Sequence, residues 1–179
     1  MEKGFPSSDF YFTELDRPSW NEYFAFAAID AATRASCKYL KTGCVVVKNK
    51  RIIATGYNGA PPGIKNCLER GCRKDEFKIE FNDKGKGACR GKHAEKNALD
   101  ELSRAKAKGS SIYTVYYPCS VCAKDIVGKH LVEVVYLRDY DENSTLALDL
   151  FEEAGITLRK FNLDIERYFE LIRKVWNQK

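Results

Sequence analysis

Two short segments of the sequence combine residue types that bind a metal ion with one that transfers protons. Residues 93–95 read His-Ala-Glu, and residues 118–122 read Pro-Cys-Ser-Val-Cys. One imidazole nitrogen and two thiolates are ligands that zinc accepts, and three protein ligands leave its fourth tetrahedral position open to water. The residue types and their spacing therefore predict that His93, Cys119 and Cys122 bind a catalytic zinc ion.

Glu95 lies two residues from His93 and is predicted to transfer protons rather than to bind the metal. Zinc lowers the pKa of a bound water, so that hydroxide forms near neutral pH. If hydroxide attacks a ring carbon that bears an amino group, one carboxylate can carry a proton to the ring nitrogen and then to the leaving ammonia. This combination of segments is typical of zinc enzymes that deaminate cytosine-type bases. The alternative is a structural zinc site beside an incidental glutamate.

The rest of the sequence must bring these two segments together. Each segment is predicted to begin a helix, because the first turn of a helix presents side chains and free N–H groups toward a common point. Strands that alternate with helices indicate a layered α/β domain with parallel strand pairs, and the first two strands form an antiparallel hairpin. We therefore expect a single domain over residues 1–179, with three α/β/α layers around a five-stranded mixed sheet.

The predicted elements follow from hydrophobic periodicity, capping residues and turn residues. A Ser-x-x-Glu capping box at Ser19 begins the first helix. The predicted helices cover about 20–32, 92–107, 120–129, 143–154 and 165–176. The predicted strands cover 44–47, 51–54, 111–116, 132–137 and 156–161. Residues 1–18, the loop 56–63 and an insertion at 66–91 are predicted to be irregular.

The composition is that of a globular protein with a modest positive charge. The chain is 44% hydrophobic, 31% charged and carries a net charge of +5. It has no run of roughly 20 apolar residues that would cross a membrane, and its N-terminus lacks the apolar core of a signal peptide. The sequence therefore predicts a cytoplasmic protein without a membrane partner.

Seven cysteines are many for 179 residues, and in a reducing compartment clustered cysteines are interpreted first as metal ligands. Cys44 lies in an apolar strand and is predicted to be a small buried hydrophobic residue. Four further cysteines lie in polar or irregular segments, and four thiolates suit a closed structural zinc site. The alternative is that they are free thiols. The four are Cys37, Cys67, Cys72 and Cys89.

Residues 31–68 contain no acidic side chain but several basic ones. This stretch predicts a positive field that attracts a ligand with a phosphate group, whereas a solvated surface is the alternative. Arg34, Lys38 and Lys41 are the candidate phosphate contacts. Lys38 and Lys41 are three residues apart, so they share a face if the first helix continues that far.

From about residue 18 to residue 159, the sequence resembles the deoxycytidylate (dCMP) deaminase family of the cytidine deaminase superfold. The resemblance is carried by residues 18–24 (Pro-Ser-Trp-Asn-Glu-Tyr-Phe), 51–59 (Arg-Ile-Ile-Ala-Thr-Gly-Tyr-Asn-Gly), 93–98 (His-Ala-Glu-Lys-Asn-Ala) and 118–124 (Pro-Cys-Ser-Val-Cys-Ala-Lys). It implies hydrolysis of dCMP to dUMP and ammonia in the supply of dTTP precursors. It also implies possible regulation by dCTP and dTTP, and a homo-oligomer, commonly a hexamer among relatives.

The same resemblance implies further site residues. Asn58 would form a hydrogen bond with the deoxyribose, the backbone of Ala94 would contact the base, and Tyr140 would lie close to the active site. In several relatives a second zinc has ligands that match Cys37 and Cys67. The alternatives are that Asn58 is a turn residue with a left-handed backbone and that Tyr140 is an exposed loop aromatic.

The sequence departs from the family at positions 115 and 116. The family usually has a polar pair such as Thr-His there, whereas this chain has Val and Tyr. The departure concerns contacts with the edge of the base and not the metal chemistry. Two other functions stay open. One is deamination of cytidine, tRNA or a polynucleotide, although a nucleic acid favours aromatic stacking platforms and more basic charge. The other is a non-catalytic zinc module for nucleic-acid binding or DNA uptake, which would not need Glu95.

Overall fold

A computed structural model describes residues 12–80, 83, 87–140 and 145–177 of the chain. Five strands form one sheet, and they are β1 (Gly43–Lys48), β2 (Arg51–Tyr57), β3 (Ser111–Tyr116), β4 (Glu133–Arg138) and β5 (Thr157–Lys160). Their spatial order is β2-β1-β3-β4-β5. Strand β1 is antiparallel to β2 and to β3, whereas β3, β4 and β5 are parallel. The predicted five-stranded mixed sheet is confirmed.

Helices cover both faces of this sheet. The helices are α1 (Trp20–Thr33), α2 (Cys67–Arg70), α3 (Arg73–Glu76), α4 (Ala94–Asp100), α5 (Arg104–Ala107), α6 (Ser120–Gly128), α7 (Thr145–Glu153) and α8 (Ile165–Trp176). Helix α1 packs on one face through Phe24, Ala28 and Ala32. Helices α4, α6 and α7 pack on the other face, in a core that includes Ala98 and Phe151. The predicted three-layer α/β/α arrangement is confirmed.

Helix α1 begins as its sequence predicts. The Ser19 hydroxyl accepts a hydrogen bond from the backbone N–H of Glu22 at 3.2 Å, and the Glu22 carboxylate accepts one from the backbone N–H of Ser19 at 2.7 Å. These reciprocal bonds satisfy N–H groups that have no partner inside the helix. Helix α8 packs beside α1, where the rings of Phe26 and Tyr168 are stacked with centroids 3.6 Å apart.

Strand β2 is longer than predicted. Residues 56 and 57 were expected in a loop, but they are the last two residues of β2. The expectation was wrong because Gly56 permits close packing rather than a turn. A Cβ atom at Gly56 would lie 2.1 Å from the carbonyl oxygen of Ala94 and 2.6 Å from the backbone nitrogen of Ala98. The missing side chain therefore lets α4 lie directly on β2.

Two further predicted segments differ from the structure. The predicted helix 92–107 is two helices, because α4 ends at Asp100 and the Ser103 hydroxyl caps α5 by accepting from the N–H of Lys106 at 3.3 Å. The insertion 66–91 was expected to be irregular, but it contains α2 and α3.

Parts of three predictions lie outside the described residues, namely 1–11, 81–82 with 84–86, and 143–144. Within the described residues, the helices are too short or too polar to span a bilayer.

Candidate metal centre and active site

The two predicted ligand segments lie at the start of helices α4 and α6. His93 is the N-cap residue of α4, and Cys119 is the N-cap residue of α6. Strand β3 leads into α6, so that Cys119 lies just beyond the carboxyl end of a parallel strand. An ion pair of 3.2 Å between Lys96 of α4 and Asp125 of α6 joins the two helices. The fold therefore brings together two segments that are separated in the sequence.

The three predicted ligand side chains converge. The sulfur of Cys119 lies 3.4 Å from Nδ1 of His93, and the sulfur of Cys122 lies 3.3 Å from the same nitrogen. A tetrahedral zinc with bonds of about 2.3 Å to sulfur and about 2.0 Å to nitrogen would place such atoms roughly 3.5 Å apart. Among the residues that the structure describes, these three form the only cluster of metal-binding side chains this tight, with all ligand atoms within 4.8 Å.

The two thiols titrate very differently. A hydrogen bond from Cys122, with the nearby His93, lowers the pKa of Cys119 well below its ordinary value. The same hydrogen bond and burial raise the pKa of Cys122. Because thiolates are the form that binds zinc, these directions favour the thiolate on Cys119, and zinc binding must displace the proton that the pair retains.

Glu95 is in the first turn of α4 and is almost completely buried, with 6% of its surface exposed. Burial is the main cause that raises the pKa of its carboxyl group, and the nearby Cys119 and Cys122 also affect that pKa. A carboxyl group with a raised pKa can both accept and donate a proton more readily near neutral pH. The predicted proton-transferring group therefore lies beside the three predicted ligand side chains.

Asn58 lies directly after β2, and its side chain is bonded to the protein itself. Its Oδ1 accepts from the backbone N–H of Thr42 at 2.9 Å, and its Nδ2 donates to the carbonyl of Leu40 at 2.8 Å. Its backbone does not have a positive φ, so the alternative of a left-handed turn residue is wrong. The amide still has a second N–H and a second lone pair for a ligand.

The loop that begins at Asn58 is also attached to the ligand segment. Gly59 and Lys92 exchange two backbone hydrogen bonds, of 3.2 Å and 2.8 Å. Asn97, one helical turn after His93, donates from Nδ2 to the carbonyl of Tyr57 at 2.7 Å. This contact was missed from the sequence, although Asn97 lies within the matching 93–98 segment. Ala94, which begins α4, is completely buried under this loop and β2.

Replacing Asn97 with alanine is expected to loosen this loop. The change removes one hydrogen bond of about 0.5–1.5 kcal/mol, so the amides of Gly59 and Lys92 should exchange with solvent about two- to tenfold faster. Hydrogen exchange followed by mass spectrometry measures this. Asn21→Ala is the matched control, because Asn21 accepts hydrogen bonds from Tyr113 and Arg159 on the α1 face. Unchanged exchange in Asn97→Ala would contradict the role of this contact.

The predicted phosphate contacts are arranged differently from the expectation. Helix α1 ends at Thr33, so Lys38 and Lys41 do not share a helix face, and that expectation was wrong. Lys38 forms an ion pair of 3.0 Å with Asp75, which lies outside the acid-free stretch. Lys41 donates to the carbonyl of Thr33 at 3.3 Å. Arg34 is exposed at the end of α1.

The remaining cysteines comprise one core residue and four others whose sulfur atoms are less tightly grouped than those of a metal site. Cys44 is completely buried, and burial raises its pKa, which fits a small hydrophobic core residue. The pKa of Cys67 is raised by burial and then by the nearby thiols of Cys72, Cys37 and Cys89. These four residues are therefore neighbours, although no three of their sulfur atoms lie within 4.8 Å of one another in the described chain.

Tyr140 lies near the carboxyl ends of β3 and β4. It is half-buried, and its ring meets that of Tyr116 in a T-shaped contact with centroids 6.2 Å apart. The alternative of an exposed loop aromatic is therefore wrong. Val115, where the sequence departs from the related family, packs on the α1 side of the sheet. The departure at that position therefore lies on the opposite face from His93.

Comparison with known proteins agrees with this geometry. Residues 18–138 match a family described as the cytidine and deoxycytidylate deaminase zinc-binding region. Deoxycytidylate deaminase of Saccharomyces cerevisiae is 39% identical over 155 residues, which is 85% of this chain and 48% of the relative. ComE operon protein 2 of Bacillus subtilis is 36% identical over 152 residues, 84% of this chain and 75% of the relative.

Solved structures show the same fold. The crystal structure of dCMP deaminase from the cyanophage S-TIM5 in complex with dCMP and dUMP matches with a TM-score of 0.65 and 29% identity, over 81% of this chain and 98% of that chain. This chain spans about half the length of the yeast relatives that it matches. Because the family match covers most of the chain and includes His93, Glu95, Cys119 and Cys122, the chain belongs to the cytidine and deoxycytidylate deaminase family.

Proposed function

We propose that this chain is a zinc-dependent enzyme that hydrolyses dCMP to dUMP and ammonia. The observation that carries the proposal is the convergence of His93, Cys119 and Cys122 beside the buried carboxyl group of Glu95. The substrate is supported by the solved relative in complex with dCMP and dUMP and by the curated deoxycytidylate deaminases. A structural zinc site alone would not require a buried carboxylate at this position.

In this mechanism the protein side chains hold the metal and move protons. His93, Cys119 and Cys122 would hold the zinc ion, which when bound lowers the pKa of the attacking water. Glu95 would accept the proton of that water and donate it to the ring nitrogen next to the amino-bearing carbon. It would then deliver a proton to the leaving amine, so that water and a cytosine base become uracil and ammonia. Burial of Glu95 keeps this transfer away from bulk solvent.

The residues that would contact the substrate lie in the loop after β2, at the start of α4 and just after β4. Asn58 would bind the deoxyribose with its remaining amide N–H, while the two hydrogen bonds described above hold the amide in place. The backbone of Ala94 would contact the base. Tyr140 would line the site from the carboxyl end of β4.

The test of the proposed activity is a panel of substrates assayed for ammonia release. The panel contains dCMP, CMP, deoxycytidine, cytidine, tRNA and short oligonucleotides. We expect dCMP to give the highest kcat/KM, and the Glu95→Ala protein provides the background rate. Higher activity on an oligonucleotide or on tRNA would instead favour a polynucleotide deaminase. Absence of release from every substrate, in protein that contains zinc, would favour a non-catalytic zinc module.

We also expect two zinc ions per chain, one catalytic and one structural. Cys37, Cys67, Cys72 and Cys89 are the proposed structural ligands, because Cys67 lies close enough to the other three thiols for them to raise its pKa. Metal analysis should give two zinc ions for the wild type and one for Cys67→Ser.

Cys44→Ala is the control for this measurement, since Cys44 is buried in the core and should not contribute to metal binding. It should still contain two zinc ions. One zinc per wild-type chain, together with four thiols that react freely in the native protein, would rule out the second site.

Regulation and assembly are proposed from the family resemblance. The product dUMP would serve as a precursor of dTTP, and dCTP and dTTP would act as activator and inhibitor. The chain would form a homo-oligomer, with a hexamer as the expected size. Activity measured with each triphosphate, and the mass of the native assembly, test these points separately.

A further inference from the structure

The carboxyl ends of β3 and β4 carry one cationic side chain at the edge of the sheet that leads to Cys119. Arg138 is the last residue of β4 and is paired with Tyr116, the last residue of β3. The backbone N–H of Tyr117 donates to the carbonyl of Arg138 at 2.9 Å, and Tyr117 is only two residues before Cys119. In open α/β sheets, ligands bind in the crevice outside the carboxyl ends of parallel strands. Arg138 is therefore at the edge of the sheet where a ligand of the metal centre would lie.

The Arg138 side chain is exposed, and an aromatic ring supports it. Its guanidinium carbon lies 5.7 Å from the centre of the Tyr116 ring, which also contacts Tyr140. Contact with the ring face orients the planar guanidinium without neutralising its charge. Within the described parts of the chain, Arg138 forms no ion pair.

Neighbouring cations are paired with carboxylates. Arg159 of β5 bonds to Glu133 at 2.8 Å, and Lys160 pairs with Asp139. On the other side of the site, Lys38 is paired with Asp75. A carboxylate already neutralises each of these side chains, so a ligand must compete with it. Arg138 has no such competitor among the described residues.

We infer that Arg138 binds the phosphate group of the nucleotide substrate and so selects nucleotides over nucleosides; this inference rests on the proposed function. A guanidinium presents two parallel N–H donors to two phosphate oxygens. A phosphate monoester carries up to two negative charges, and it is the group that distinguishes dCMP from deoxycytidine. Arg138 lies at the same edge of the sheet as the Asn58 loop, with β1 and β3 between them, so that phosphate and sugar would be held from two sides of the site.

The test compares dCMP with deoxycytidine in variants at this position. Arg138→Gln should lower kcat/KM for dCMP about ten- to a hundredfold, the range for loss of a charge-assisted hydrogen bond, and leave deoxycytidine nearly unchanged. Arg138→Lys should give an intermediate loss, because it keeps the charge but lacks the paired donors. Arg173→Gln on α8 is the control, since it removes the same charge from the opposite side of the sheet and should leave the ratio unchanged. An equal loss for both substrates, or an unchanged ratio, would overturn the inference.

A binding measurement separates this inference from the proposed reaction. The affinity of wild type for dUMP should exceed its affinity for deoxyuridine, and Arg138→Gln should reduce that difference about ten- to a hundredfold. If wild type releases no ammonia from dCMP but shows this pattern, the reaction is wrong and the phosphate contact stands. If dCMP is deaminated but Arg138→Gln binds dUMP as tightly as wild type, the phosphate contact is wrong.

Discussion

Replacing Glu95 with alanine is expected to lower ammonia release by several orders of magnitude while zinc remains bound. A single acid–base step contributes roughly 10²–10⁴-fold, and Glu95 would act in more than one step. The isosteric Glu95→Gln keeps the volume of the buried side chain but cannot exchange a proton, so it should lose nearly as much activity. Zinc content and kcat of both variants check this expectation.

Glu101→Gln is the matched control for these variants. Glu101 directly follows the same helix α4 as its C-cap residue and is exposed, so the change removes the same charge at the other end of that helix from His93. It should leave kcat unchanged. The Glu95→Gln variant should also remain folded, because it keeps the volume of the buried side chain and removes a group whose charged form is costly to bury. Near-normal ammonia release by Glu95→Gln would refute the proton-transfer role.

The cluster of His93, Cys119 and Cys122 could be predicted from the sequence because its determinants are local. His93 and Cys119 each precede a helix, and the start of a helix is signalled within a few residues. Cys119 and Cys122 need only the spacing of one helical turn to face the same point. The approach of α4 to α6 could not be predicted from either segment alone. It was expected because the two motifs occur together in zinc deaminases.

The features that the sequence did not predict depend on contacts between distant residues. Gly56 was assigned to a loop because glycine usually breaks a strand, whereas the close approach of Ala94 is visible only in the folded chain. Lys38 was considered a free cation because no acidic residue is near it in the sequence, yet the fold brings Asp75 to it. No sequence pattern indicates a ligand contact for Arg138, because a lone arginine at the end of a strand has no local signature.

Replacing Gly56 with alanine is expected to damage both the stability and the metal site. Its new Cβ would lie 2.1 Å from the carbonyl oxygen of Ala94, so α4 must move away from the sheet. Overpacking of this kind typically destabilises a protein by about 1–3 kcal/mol, which lowers the melting temperature of a chain of this size by roughly 2–4 °C per kcal/mol. Because Ala94 lies between His93 and Glu95, the same movement displaces a zinc ligand and the proton-transferring group.

Gly43→Ala provides the comparison that separates a displaced site from a merely weakened fold. A Cβ at Gly43 would lie 2.3 Å from the backbone nitrogen of Ala32 and 2.4 Å from the carbonyl oxygen of Ala28, so it overpacks α1 on the opposite face of the sheet. Both variants should melt at lower temperature by similar amounts. Only Gly56→Ala should bind zinc more weakly and lose about 10²-fold in kcat, since a shift of about 1 Å in catalytic geometry can have that effect. Equal losses of activity in the two variants, measured well below both melting temperatures, would show that Gly56 contributes to general stability and not to the position of the metal centre.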